Sequence, residues 1–181
     1  MTVNELSVPE VKVIIPDVFG DNRGYLTVPF SQRDYEKLGI YFQLRQINQG
    51  FSNKIHTIRG LHYQQGEFAQ AKLVSACNGA ILSVAVDIRR NSPYFGKWCG
   101  EILSADNRKI MYIPRGFAHG YLTLDENVLM QYCVDNDFCA DATRSVRFDD
   151  SDIGVKWIFE PDISTLSAKD AGAARLEDVY E

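Results

Sequence analysis

The sequence predicts an all-β domain, a sandwich or closed barrel with only a few short helices at its edges. Apolar and polar residues alternate with period two along most of the chain, as in Lys72-Leu73-Val74-Ser75-Ala76-Cys77 and Ala80-Ile81-Leu82-Ser83-Val84-Ala85-Val86-Asp87-Ile88. That period lines one face of a strand. Turn clusters recur between these runs, at Asp21-Asn22-Arg23-Gly24, Asn91-Ser92-Pro93 and Asp106-Asn107, and short strands at such spacing build sandwiches and barrels. A chain of 181 residues without repeats, low-complexity tracts or linkers is read as one domain, residues 1–181, long enough to bury a sizeable core.

Taken in order, strands are expected at 11–16 and 24–30, and then a short helix over Ser31–Leu38 with Ser31 as its N-cap. Another strand is expected at 42–51, and the segment holding His62 also has strand character. Asn78-Gly79 separates two apolar runs, the strongest short signal for a type I′ hairpin. Further strands are placed at 98–104, 109–113, 118–124 and 127–134. Near the C-terminus Ser167 is placed to cap a second helix with Asp170 in its first turn.

Composition narrows the function. Hydrophobic content of 45% and charged content of 24% are ordinary for a globular protein. The net charge of −5 argues against nucleic acid as the main partner, since such binders carry a basic face, yet leaves room for a small anion. No signal segment opens the chain and no run approaches 18 apolar residues, so no membrane partner is expected. Cys77, Cys99, Cys133 and Cys139 form no Cys-x-x-Cys pair and read as reduced thiols of a cytoplasmic protein.

Two of the three histidines sit in distant segments, Arg59-Gly60-Leu61-His62-Tyr63-Gln64 and Pro114-Arg115-Gly116-Phe117-Ala118-His119-Gly120-Tyr121. Histidine is suited to moving protons near neutral pH. The two segments stand where a cupin-type jelly-roll or β-sandwich barrel carries its metal ligands. Gln64 occupies the place of a second histidine, and His56 lies outside the motif. An iron or zinc centre needs imidazole or carboxylate at each position, so no metal is expected and His62 is free to titrate.

These segments, with Asp87-Ile88-Arg89, Ser92-Pro93-Tyr94-Phe95-Gly96-Lys97-Trp98 and Leu166-Ser167-Ala168-Lys169-Asp170, resemble the nucleotide-sugar 3,5-epimerases from about residue 11 to 175. The resemblance implies a cofactor-free epimerase on a nucleotide-linked 4-keto-6-deoxy sugar. Its leading reaction turns dTDP-4-dehydro-6-deoxy-D-glucose into dTDP-4-dehydro-L-rhamnose, in deoxysugar and O-antigen biosynthesis. It implies His62 as base, Asp170 as the carboxylate orienting it, Tyr132 as acid on the far face, and Lys72 as donor to the enolate. Read without the resemblance, Lys72 opens a strand at the barrel rim and would be a solvated lysine. Substrate contacts carried over are Phe19, Arg23, Gln46, Asn48, Arg59, His119, Tyr121 and Lys169. A homodimer exchanging N-terminal strands is also implied, with Arg23 serving the partner's pocket.

The chain departs from the family pattern in places. Leu26 and Val28 replace the usual Phe and Glu after Asp21-Asn22-Arg23-Gly24, Phe138 stands where a second Tyr is common, and Thr143 or Arg144 falls at a second ligand-contacting Glu. These changes leave open CDP- or GDP-linked sugars and epimerisation at C3 alone. Two readings of other classes remain, a metal-dependent cupin and a sugar-binding cupin without catalysis.

Overall fold

In the computed structural model, which describes residues 1–179, two antiparallel sheets face each other. The strands are β1 (Thr2–Glu5), β2 (Lys12–Ile15), β3 (Val18–Asp21), β4 (Gly24–Thr27), β5 (Gln46–Ser52), β6 (Ile58–Gln64), β7 (Lys72–Asn78), β8 (Ala80–Asp87), β9 (Trp98–Ser104), β10 (Ile110–Ile113), β11 (Phe117–Thr123), β12 (Val128–Val134) and β13 (Thr143–Ser145). The first sheet runs β1-β2-β10-β7-β12-β5 and the second β13-β6-β11-β8-β9. Strands β3 and β4 pair only with each other, as a hairpin. Two short helices, α1 (Gln32–Lys37) and α2 (Ala168–Ala171), complete the fold with several 3-10 turns. The all-β expectation holds, although β1, β3 and β13 were not foreseen and the end of the domain at 180–181 lies outside the described residues.

Alternation explains the layers. Val74, Met111, Ile113, Met130 and Val128 from the first sheet meet Ile81, Ala85, Phe117 and Tyr121 from the second in the central core. The outer face of the second sheet, with Ile58, Leu61, Val84, Val86 and Leu122, is covered by the C-terminal segment through Val146, Ile153, Leu176 and Val179. The outer face of the first sheet packs Leu73, Ile14 and Ile110 under Tyr35 of α1 and under Ile40 and Phe42. Because β8 is apolar on both faces, it is central and buried almost throughout.

The Asn78-Gly79 hairpin expectation is corrected. Strand β7 pairs with β10 and β12 whereas β8 pairs with β11 and β9, so the chain crosses from one sheet to the other at Gly79. Positive φ is used there, at +69°, but for a corner. Asn78 Nδ2 donates to Asn127 O and Ala105 N to Gly79 O, so loops from elsewhere take the hydrogen bonds of the turn. The local signal sets a bend, while the sheet each run joins is set by its pairing with β10 and β12 or with β11 and β9. The Ser31 cap is corrected too. Ser31 stands at the N-cap position, but its hydroxyl donates to Asp34 Oδ2 at 2.8 Å and no backbone amide is capped by it.

Candidate active site

The site grows from the pleat. Lys72 on β7, Tyr132 and Met130 on β12, and Gly50 on β5 project inward from the first sheet, while His62 on β6 and His119 and Tyr121 on β11 project from the second. They line a partly open pocket of about 250 Å³, with the exposed Arg59 and Gln49 also in its wall. A larger cleft of about 540 Å³ lies elsewhere, between the β3–β4 hairpin and α1, and is lined by Phe19, Val28, Ser31 and Lys37; it holds no histidine, and its Lys37 is paired with Asp34.

Glycines bring β6 and β11 together at the site. Gly60, at φ +116°, is close enough to β11 that an added Cβ would sit 2.6 Å from Gly120 Cα, and one on Gly120 would sit 2.8 Å from Arg59 O. The register shifts between His119 and Tyr121, and such bulges re-aim side chains. His62 and His119 thereby become direct register partners.

His62 Nε2 lies 2.5 Å from Asp170 Oδ1. If Nε2–H donates to the carboxylate, Nδ1 is the ring nitrogen left to accept a proton. Asp170 is buried because Ser167 Oγ accepts from its amide at 3.1 Å and starts α2 beneath β6, which bears out the Ser167 cap. Burial alone would raise the Asp170 carboxyl, but hydrogen bonds from His62, Ser167 and the Gly60 backbone, with the His62 charge, hold it below the ordinary value. It therefore stays an anion that orients the imidazole.

Lys72 is buried, at 8% exposure, and its Nζ donates to His62 O at 3.2 Å. The rim-lysine reading is overturned. Burial, and then the Lys169 charge, push its ammonium down to about 8. His119 is buried as well and shares a 3.0 Å hydrogen bond with Ser83 Oγ. Burial first, then Lys72 and His62, hold it well below the ordinary histidine range, so it is neutral. The Tyr132 phenol is raised by burial and by Tyr121, and stays protonated.

Of the remaining predicted contacts, Gln46 and Asn48 share the inward face of β5, joined by a 2.5 Å hydrogen bond, with Asn48 directly across from Tyr132. Arg59 is held by Ser52 Oγ at 3.2 Å and Phe51 O at 2.9 Å. Lys169 is exposed on α2. Phe19 and Arg23 are not brought to the pocket. Both are exposed on the β3–β4 hairpin, where Arg23 is bound to Asp21. Gln64 is committed elsewhere. Its Nε2 donates to Phe68 O and Asp137 O, and its Oε1 accepts from Cys139 N, so it latches the loop that carries Phe138. Among the described residues no three His, Cys, Asp or Glu side chains converge as metal ligands.

Sequence reasoning missed Ser83, Gly50 and Met130. Ser83 was visible as a polar break, like Asp87, at an inward position of an apolar run. Gly50 and Met130 carried no such signal.

This constellation, a histidine backed by a carboxylate with a buried ammonium and a phenol across a small barrel pocket, defines an acid–base isomerase on a cupin-like sandwich. The sequence model of the dTDP-4-dehydrorhamnose 3,5-epimerase family matches residues 5–178, and the chain belongs to that family. It is similar to the dTDP-4-dehydrorhamnose 3,5-epimerase of Salmonella typhimurium, 42% identical over 98% of this chain and 96% of the relative. The crystal structure of a dTDP-6-deoxy-D-glucose-3,5-epimerase from Legionella pneumophila, in complex with dTDP-4-keto-L-rhamnose, superposes with a TM-score of 0.93 at 36% identity, covering 99% of this chain and 94% of that one. A 3′-monoepimerase from Streptomyces bikiniensis in complex with dTDP-quinovose superposes at 0.87 and 28% identity, covering 96% and 87%.

Proposed function

We propose that this chain epimerises C3 and C5 of dTDP-4-dehydro-6-deoxy-D-glucose to give dTDP-4-dehydro-L-rhamnose. His62 takes the proton from a carbon next to the C4 ketone. The bonding pair moves toward the carbonyl, and the charge gathers on the C4 oxygen as an enolate. Lys72 donates to that oxygen, and Tyr132 delivers its phenolic proton to the carbon from the opposite face before regaining one from solvent. His62 gives up the proton it took to solvent, and the second carbon then follows by the same steps. Proton transfers of this kind need the acid and base within reach on opposite faces, and the developing charge needs a preorganised donor. The observation that carries this reading is that His62, 2.5 Å from Asp170, lines one pocket with Lys72 and Tyr132. All three chemical roles fall to side chains of the chain itself.

Arg59, Gln46, Asn48, His119, Tyr121 and Lys169 are assigned to the sugar and diphosphate. Phe19 and Arg23 are assigned to the pocket of a second copy. Their hairpin leaves Phe19 62% and Leu26 67% exposed, and the first sheet ends at β5 with Ile47 and Phe51 exposed, so a homodimer would cover apolar surface. A single catalytic domain over 1–181 and a cytoplasmic site of action complete the reading; four free cysteines favour a reducing compartment, and among the described residues no helix is long and apolar enough to cross a membrane.

A second reading, epimerisation at C3 alone, draws on Phe138, 63% exposed on the loop that Gln64 latches, where a second tyrosine is common in the family. Incubation with the dTDP sugar in D₂O decides between them: two deuterons per sugar support the double epimerase and one supports the single. No turnover with the dTDP sugar, but turnover with a CDP or GDP counterpart, would trace to Val28 and move the substrate, not the chemistry.

A further inference from the structure

Tyr121 is buried at 4% exposure and lines the reaction pocket, yet among the described residues its hydroxyl has no hydrogen-bond partner. Ser52 stands close enough to lower the phenol against the effect of burial, while its Oγ accepts from Arg59 Nε at 3.2 Å and falls outside hydrogen-bond geometry to Tyr121 Oη. A buried hydroxyl without a partner is costly and calls for one. The space beside it is open because β5 carries glycine at that point. A Cβ on Gly50 would meet Tyr121 Oη at 3.5 Å and Met130 Cε at 3.9 Å, and Gly50 has no positive φ that would require glycine. On β11 the Tyr121 ring lies 6.4 Å from that of His119, and Tyr121 is the register partner of Arg59.

We propose that the Tyr121 hydroxyl donates a hydrogen bond to an oxygen of the bound sugar at its phosphate-bearing end, and that Gly50 is glycine to leave room for that oxygen. This rests on the sugar-nucleotide reading above and extends it. Tyr121 is then a polar substrate contact, beyond an aromatic wall. It grips a part of the substrate that does not react, so its loss weakens ground and transition states together.

The test is calorimetric titration of wild type, Tyr121→Phe and Gly50→Ala with dTDP-D-glucose, which lacks the ketone and does not react, and with dTDP alone. Tyr121→Phe should bind dTDP-D-glucose about threefold to tenfold more weakly, the range of one neutral hydrogen bond, with dTDP affinity unchanged. Its melting temperature should hold or rise, because an unpartnered hydroxyl has gone. Gly50→Ala, which keeps the hydroxyl and covers it, should show the same sugar-specific loss. Unchanged dTDP-D-glucose affinity together with a lower melting temperature would overturn the proposal in favour of a structural hydroxyl, and equal loss for dTDP would move the contact to the nucleotide. Wild type that binds dTDP-D-glucose but fails to epimerise the keto sugar would count against the reaction and leave this contact standing.

Discussion

At the scale of single residues, Lys72 carries the sharpest consequences. Its ammonium is held at about 8 by burial and by Lys169, so it is charged at neutral pH in a place that disfavours charge. As enolate donor it is expected to be worth about 2.7–4 kcal/mol in the transition state; Lys72→Ala should lower kcat on the order of a hundredfold or more in a steady-state assay, and near wild-type turnover would remove it from the mechanism. Wild-type kcat should decline as pH rises through about 8, where the ammonium is lost. Stability should run the other way. The unfolded lysine titrates at the ordinary 10.5 and the folded one at about 8, so between those values the unfolded chain binds more protons and stability rises with pH. The cost is fully present below 8, on the order of 3 kcal/mol. Lys72→Met should therefore melt higher than wild type at pH 7, and the gap should close toward pH 10. Period and spacing placed Lys72 on a strand but could not place it inside, because burial depends on β12 and β6 arriving from far along the chain.

At the scale of elements, α2 is a four-residue helix, too short to hold itself, and it positions the carboxylate that orients His62. Ser167 fixes its start. Ser167→Ala removes a cap worth about 1 kcal/mol. Turnover should fall severalfold with little change in melting temperature, amide exchange at 168–172 should quicken, and Ser167→Asp should restore both; unchanged turnover with quickened exchange would show that Asp170 needs no such support. The cap was legible because Ser167 precedes Asp170 by the three residues that capping requires. Ser31 offered the same spacing to Asp34 and was diverted to the Asp34 side chain, a competition that spacing cannot reveal. The Asn78-Gly79 junction misled for a related reason: a local turn signal reports that the chain bends, not which sheet receives it.

At the scale of the whole molecule, the β3–β4 hairpin pairs with neither main sheet and leaves Phe19, Tyr25, Leu26 and Val28 exposed. A partner that covers it would explain both the apolar residues and the distance of Arg23 from the pocket. Sedimentation should give a dimer at micromolar concentration, and a Phe19→Asp, Leu26→Asp variant should weaken it with kcat/KM falling in parallel. A wild-type monomer of full activity would return Arg23 and Phe19 to the surface. The layered sandwich was readable from alternation and turn clusters, and the contact of His62 with Asp170 was implied by the family resemblance. Pocket membership was not, since Gly50 and Met130 are chosen by register between strands distant in sequence.

The central claim is that a base on one face of the sugar removes a proton and an acid on the other face supplies one. Its most direct measurement is deuterium incorporation by mass spectrometry after incubating the dTDP 4-keto-6-deoxy sugar in D₂O with wild type, His62→Asn and Tyr132→Phe. Incorporation by wild type, with exchange abolished in His62→Asn and epimerised product lost in Tyr132→Phe, is the predicted result. Full incorporation and full epimerisation in both variants would contradict it.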